Sequence, residues 1–211
     1  MRNFPQPAGA AWDPGDPSED TELFRIHPDG YTALFFGGPK WNSRFSPPDH
    51  DDNFGTCHLG YTDEAAFLEK FCRVDSPDGL DGIPLITTTA IANHRISKVK
   101  PTRRLKVAGC AAPKATGPPY YINNDFFAGY DYRQTRAWGK ALWQADFEGV
   151  QYRCHQGSGV NYALAVFGDP ADTTTTDVLE AAEEEELSDD LINRMENVYN
   201  LPIWQPPSFV C

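Results

Sequence analysis

The clearest alternation of apolar and polar positions lies in residues 54 to 71, where Cys57, Leu59 and Tyr61 alternate with Thr56, His58 and Gly60. A two-residue period of this kind suits a half-buried strand. Past Tyr61 the preferences turn helical. Thr62 or Asp63 can act as N-cap, Asp63 and Glu64 place negative charge in the first turn, and Ala65, Ala66, Phe67 and Leu68 favour helix over strand. Phe67 and Phe71 share a face of that helix, which leaves Glu69 turned away from them towards solvent or a cleft.

The same patterns divide the rest of the chain. Residues 23 to 27 predict a strand with Leu23, Arg25 and His27 on one face and Phe24 and Ile26 on the other, and residues 31 to 36 form a second apolar run closed by Gly37, Gly38 and Pro39. Residues 83 to 91 and 95 to 99 are β-prone, and residues 120 to 132 form an aromatic-rich loop suited to lining a pocket or capping the core. A helix is predicted over 132 to 144, with Thr135, Trp138, Ala141 and Leu142 near one stripe, then a strand over 150 to 154. Residues 162 to 167 are a continuous apolar run suited to a sheet centre. A further helix is predicted from 177 to about 199, capped within Thr173 to Thr176 and stopped at Leu201-Pro202; its glutamates at 183 to 186 repel one another, so it needs a docking surface. Many strands with few helices argue for an α+β fold with a mixed or antiparallel sheet, and no Gly-x-Gly-x-x-Gly follows a strand to support a dinucleotide-binding doubly wound sheet.

Charge and composition sharpen the domain picture. A chain of 211 residues suffices for one buried domain with appendages. Residues 1 to 22, with Pro5, Pro7, Pro14 and Pro17, read as an extended lead-in, 23 to 168 as the folded domain and 169 to 211 as an acidic helical tail. Of the formal net charge of -12, most belongs to residues 169 to 196, where eleven acids face the single base Arg194. Such a tail opposes nucleic-acid binding. The dense basic patch of Lys98, Lys100, Arg103, Arg104 and Lys106 is expected to be a solvated strand edge, or else a surface that meets phosphates or the acidic tail. No stretch has the roughly 18 to 20 apolar residues of a membrane span and the start lacks a secretory run, so the cytoplasm is the expected location. Five widely spaced cysteines without a Cys-x-x-Cys pair indicate neither a zinc site nor a disulfide framework. Asp49-His50-Asp51-Asp52 lacks the spaced ligands and glycine turn of a calcium loop, and no metal is expected.

Several short blocks, taken in order, resemble the RES domain family: Phe24-Arg25-Ile26-His27, then Ser43-Arg44-Phe45-Ser46-Pro47, then His58 ahead of Glu69, and finally Phe147 to Cys154 leading to Asn161 and the run from Ala163 to Phe167. The resemblance covers about residues 23 to 168. It implies an ADP-ribosyltransferase-like fold and cleavage of the nicotinamide–ribose bond of NAD, by phosphorolysis or hydrolysis, in a toxin paired with a neutralising antitoxin or immunity protein, in the cytoplasm or after delivery into a target cell. NAD is then substrate, and no cofactor is required. Glu69 would stabilise positive charge developing on the ribose, with Arg25 and Arg44 holding the pyrophosphate. His58 stands where the family usually has tyrosine, and Cys154 where it has serine, with Ser158 four residues on as another hydroxyl; Tyr61 and Ser158 join Arg25 and Arg44 as expected substrate contacts. Two other readings stay open: a degenerate domain that binds a nucleotide or protein without turnover, and a cysteine enzyme using Cys154 with His58 or His155 as base.

Overall fold

The computed structural model of the chain describes residues 17–50, 52–72, 86–110, 132–154, 161–170 and 172–205. The predicted central strand is β3, Gly55–Gly60, and it sits inside a sheet with β1 (Leu23–Pro28), β5 (His94–Pro101), β6 (Val107–Gly109), β7 (Gly149–Arg153), β8 (Tyr162–Gly168) and β10 (Leu179–Glu186). Their order is β10-β5-β1-β3-β8-β7-β6. Every pairing is antiparallel except that of β6 with β7. Short strands β2 (Leu34–Phe35) and β9 (Asp172–Thr173) pair with each other, as do β4 (Ile86–Thr87) and β11 (Ile203–Trp204). The helices are α1 (Asp63–Phe71), α2 (Thr88–Ala92), α3 (Arg133–Gln144) and α4 (Asp189–Asn197). The α+β expectation holds.

Alternation along the strands sorts the core onto two faces. In β8, Ala163, Ala165 and Phe167 face a cluster with Phe67 of α1, Trp138 and Leu142 of α3 and Met195 of α4, while Leu164 and Val166 face Leu23, Cys57, Leu59, Val99 and Leu179. The apolar run at 162–167 is thus covered on both sides, as a strand flanked by β3 and β7 must be. The Thr62 hydroxyl accepts from Ala65 N at 3.0 Å and caps α1, and the Phe67 and Phe71 rings pack 4.7 Å apart.

Three expectations are corrected. The predicted helix over 177–199 is helical only in α4; residues 179 to 186 form a strand. Thr176 turns the chain there, its hydroxyl accepting from Leu179 N at 2.9 Å, and β10 then runs antiparallel to β5 with Glu180 opposite Lys100 and Glu186 opposite Arg95. A strand spaces its residues about 3.3 Å apart on alternating sides, which separates the glutamates, and β5 supplies both the backbone ladder and the cations. Lys98 and Lys100 of the basic stretch are therefore not at a sheet edge, because β10 covers β5; Lys98 also pairs with Glu22 at 3.5 Å. Within the β-prone stretch 83–91, residues 88 to 92 form α2, capped by the Thr87 hydroxyl accepting from Ala90 N at 3.0 Å. The aromatic loop expected at 120–132 lies, apart from Tyr132, outside the described residues.

Candidate active site

The site lies where the sheet opens. β1 keeps register with β5 over six residue pairs, and β3 does so with β8, but β1 and β3 pair only at Phe24 and Gly60. Arg25 spans the resulting fork, its guanidinium donating to His58 O at 3.3 Å and to Cys57 Sγ at 2.8 Å. A cavity of about 310 Å³ occupies this region. Its wall takes Arg25, Ile26 and His27 from β1, Thr56 and His58 from β3, Glu69 and Lys70 from α1, and Tyr31, Trp41 and Ser43 from the segment between β1 and β3.

Gly60 sets α1 tight against the end of β3, since a Cβ there would stand 2.7 Å from Thr62 O and closer still to Ala66 N. The helix so placed delivers Glu69 to the cavity. Tyr152 OH donates to Glu69 Oε2 at 2.8 Å, and Arg44 Nη1 approaches both carboxylate oxygens at 3.3 and 3.4 Å. Arg44 is buried, with its guanidinium 5.2 Å from the centre of the Tyr152 ring and 5.9 Å from that of Tyr132. Burial opposes its charge, but Glu69, Tyr152 and Tyr132 more than offset this, so the guanidinium is held cationic. The Tyr152 phenol is pushed well above its ordinary range by burial and by Glu69. It remains a donor.

The chain of contacts continues from Tyr152 to His58 Nδ1 at 2.9 Å, and from His58 Nε2 to Ser43 Oγ at 3.2 Å. The single phenolic proton goes to the Glu69 carboxylate, so Nδ1 carries the imidazole proton and donates to Tyr152. Nε2 then presents its lone pair to Ser43, whose hydroxyl donates to it. Ser43 is held by a tight turn: its backbone N–H donates to Ser46 Oγ at 3.2 Å, Ser46 N–H donates to Ser43 O at 3.2 Å, and the two hydroxyls touch.

Comparison with known families matches the RES domain over residues 22–189. The chain belongs to the RES domain family. No curated protein matches the chain. Among solved structures, the M. tuberculosis MbcT–MbcA toxin–antitoxin complex contains a chain with a similar fold, at a TM-score of 0.64 and 19% identity over 85% of this chain and 89% of that one. The RES match takes in β10, the strand that holds the whole run of glutamates at 183 to 186.

Within this RES domain the structure brings together Arg25, Arg44, His58 and Glu69. It sets Arg44 against Glu69 rather than on the cavity wall, where Arg25 and Lys70 are the described Arg and Lys side chains. Cys154 is 4% exposed, its thiol 3.8 Å from Ala65 O, and burial followed by the charge of Glu69 raises its pKa. A buried, protonated thiol has neither the access nor the charge of a nucleophile, and His58 hydrogen-bonds Tyr152 and Ser43. Tyr61 packs against the cluster of Leu23, Cys57 and Leu59. His155 and Ser158 lie outside the described residues. Sequence reasoning missed Tyr152 and Ser43. Both stand inside the family-like blocks, but nothing local distinguishes a phenol that joins two site residues from an ordinary core aromatic.

Proposed function

We propose that this RES domain consumes NAD by breaking the nicotinamide–ribose bond, as the toxin of a pair with a neutralising protein partner. The observation that carries this is the Glu69 carboxylate, fixed by Tyr152 and Arg44 at the wall of a cavity whose fork holds Arg25. As nicotinamide leaves with the bonding electron pair, positive charge develops on the ribose. A fixed carboxylate stabilises that charge more in the transition state than in the ground state, and it is already oriented before substrate arrives. Arg25 and Lys70 supply cations for the two phosphates. The ribose is then taken by phosphate or water, and no metal or redox group is called for. The likeness in fold to a chain of a toxin–antitoxin complex supports a protein partner. Action on NAD places the protein in the cytoplasm of its own cell or of one it is delivered into. Among the described residues no helix is long and apolar enough to cross a membrane.

The test is chromatographic measurement of NAD loss by the wild type beside Glu69→Gln, an isosteric change that removes the charge. The variant should melt as a folded protein and consume NAD about 10²- to 10³-fold more slowly. Equal rates in the two proteins, or no NAD loss by folded wild type, would refute the proposal.

A further inference from the structure

Building on the NAD-cleaving function, the geometry points to water rather than phosphate as the acceptor, with Ser43 and His58 forming the relay that takes its proton. Three observations converge. First, the hydrogen-bond directions leave the lone pair of His58 Nε2 on the Ser43 hydroxyl, because Tyr152 gives its proton to Glu69 and receives one from Nδ1. This is the arrangement of a hydroxyl beside a base whose other nitrogen is oriented by a third group. Second, Ser43 and His58 line the same cavity wall as Glu69, so the relay and the carboxylate face one bound sugar. Third, the cations are already committed. Among the described residues of the cavity wall the Arg and Lys side chains are Arg25 and Lys70, which the proposed function assigns to the substrate's own pyrophosphate, while Arg44 is turned to Glu69. Inorganic phosphate is an anion at neutral pH and needs no base to attack; water must lose a proton, and a base relay has work to do only for such an acceptor.

The step balances as follows. The C1′–N bond breaks and its electron pair neutralises the pyridinium nitrogen of departing nicotinamide. Water oxygen bonds to C1′, its proton passes to Ser43 Oγ, and the Ser43 proton passes to His58 Nε2. The imidazolium so formed keeps its Nδ1–H on Tyr152, which in turn remains bonded to the Glu69 carboxylate, and the extra proton leaves to solvent with product. The products are ADP-ribose, nicotinamide and a proton.

Products are identified by chromatography and mass for the wild type with and without phosphate, and kcat and KM are compared for His58→Gln and Ser43→Ala after their melting curves show folded protein. Wild type should form ADP-ribose at the same rate in both buffers. Each variant should lose about 10²-fold in kcat with little change in KM, the expected size of a lost general base. ADP-ribose 1″-phosphate as the main wild-type product in phosphate overturns the relay and leaves NAD cleavage standing, as does an unchanged kcat in both variants. Absence of NAD loss in wild type overturns both. The wild-type product comparison decides the matter even where a variant fails to fold.

Discussion

Arg44 and Glu69 form an ion pair whose side chains are only 6% and 9% exposed. A pair this buried differs from Lys140 with Asp49 and Asp52, where a half-buried lysine bridges two loop carboxylates and water competes most strongly at Asp49. Removing one partner of a buried pair strands the other, so Arg44→Ala should lower unfolding free energy by about 3–5 kcal/mol in chemical denaturation. Arg44→Lys should recover little of it, since an ammonium cannot lie across the Tyr152 ring as a planar guanidinium does. Full stability in Arg44→Ala would show that the pair is solvated in practice. Glu69 and Arg44 were legible as charged residues in family-like blocks; that the arginine pairs with the glutamate was not, because the two lie 25 residues apart and meet only across the fold.

Secondary-structure elements tell a different story in the acidic tail. Glutamate is a good helix former, and local propensity alone favours helix through residues 180 to 186. The strand wins because β5 offers an unfilled ladder and facing cations, neither of which is visible within the window of residues that propensity weighs. Beyond β10, α4 docks on the start of the helix that carries Glu69, with Arg194 reaching Asp63 at 2.6 Å and Glu64 at 3.0 Å, and Tyr199 OH donating to Glu64 at 3.1 Å. The tail thus closes the sheet and braces α1 rather than covering the cavity. Leu179, Leu187, Leu191 and Met195 are all buried, and at about 1.5–3 kcal/mol each their burial rivals a domain's usual margin of about 5–15 kcal/mol. A chain truncated after Gly168 should therefore lose its cooperative melt and elute as aggregated or expanded material. A truncated protein that is folded and active would show the tail to be dispensable.

The folded molecule as one body should weaken in mild acid. His27 is buried with Nδ1 on Pro28 O at 3.3 Å and Nε2 on Ser97 Oγ at 2.9 Å, and His94 packs 5.1 Å from the Phe71 ring with Nδ1 donating to Ala90 O at 2.6 Å. Burial is the main cause that lowers the pKa of both from 6.5. Below that value the unfolded chain binds protons that the folded one refuses, so stability is full above it and falls as pH drops towards the depressed folded values. Asp49 and Glu148 also titrate low, and their effect belongs to more acid solutions. The melting temperature should fall between about pH 7.5 and 5.5, and less so in His27→Asn. A melting temperature that is level or rises over that interval would contradict the account.

What local pattern decides, the chain already announces: the alternation through residues 56–61, the Thr62 cap, the phenylalanine pair of α1 and the apolar run of β8 each depend on neighbours two to four residues away or on a continuous stretch. The α+β class follows from the tally of such elements. The fork between β1 and β3, the β10 strand and the chain from Glu69 through Tyr152 and His58 to Ser43 depend instead on partners far off in sequence; Tyr152 is 83 residues from Glu69 and 94 from His58. Hydrogen bonds and ladders of that reach form only when the whole sheet has assembled, so no window of sequence carries their signal.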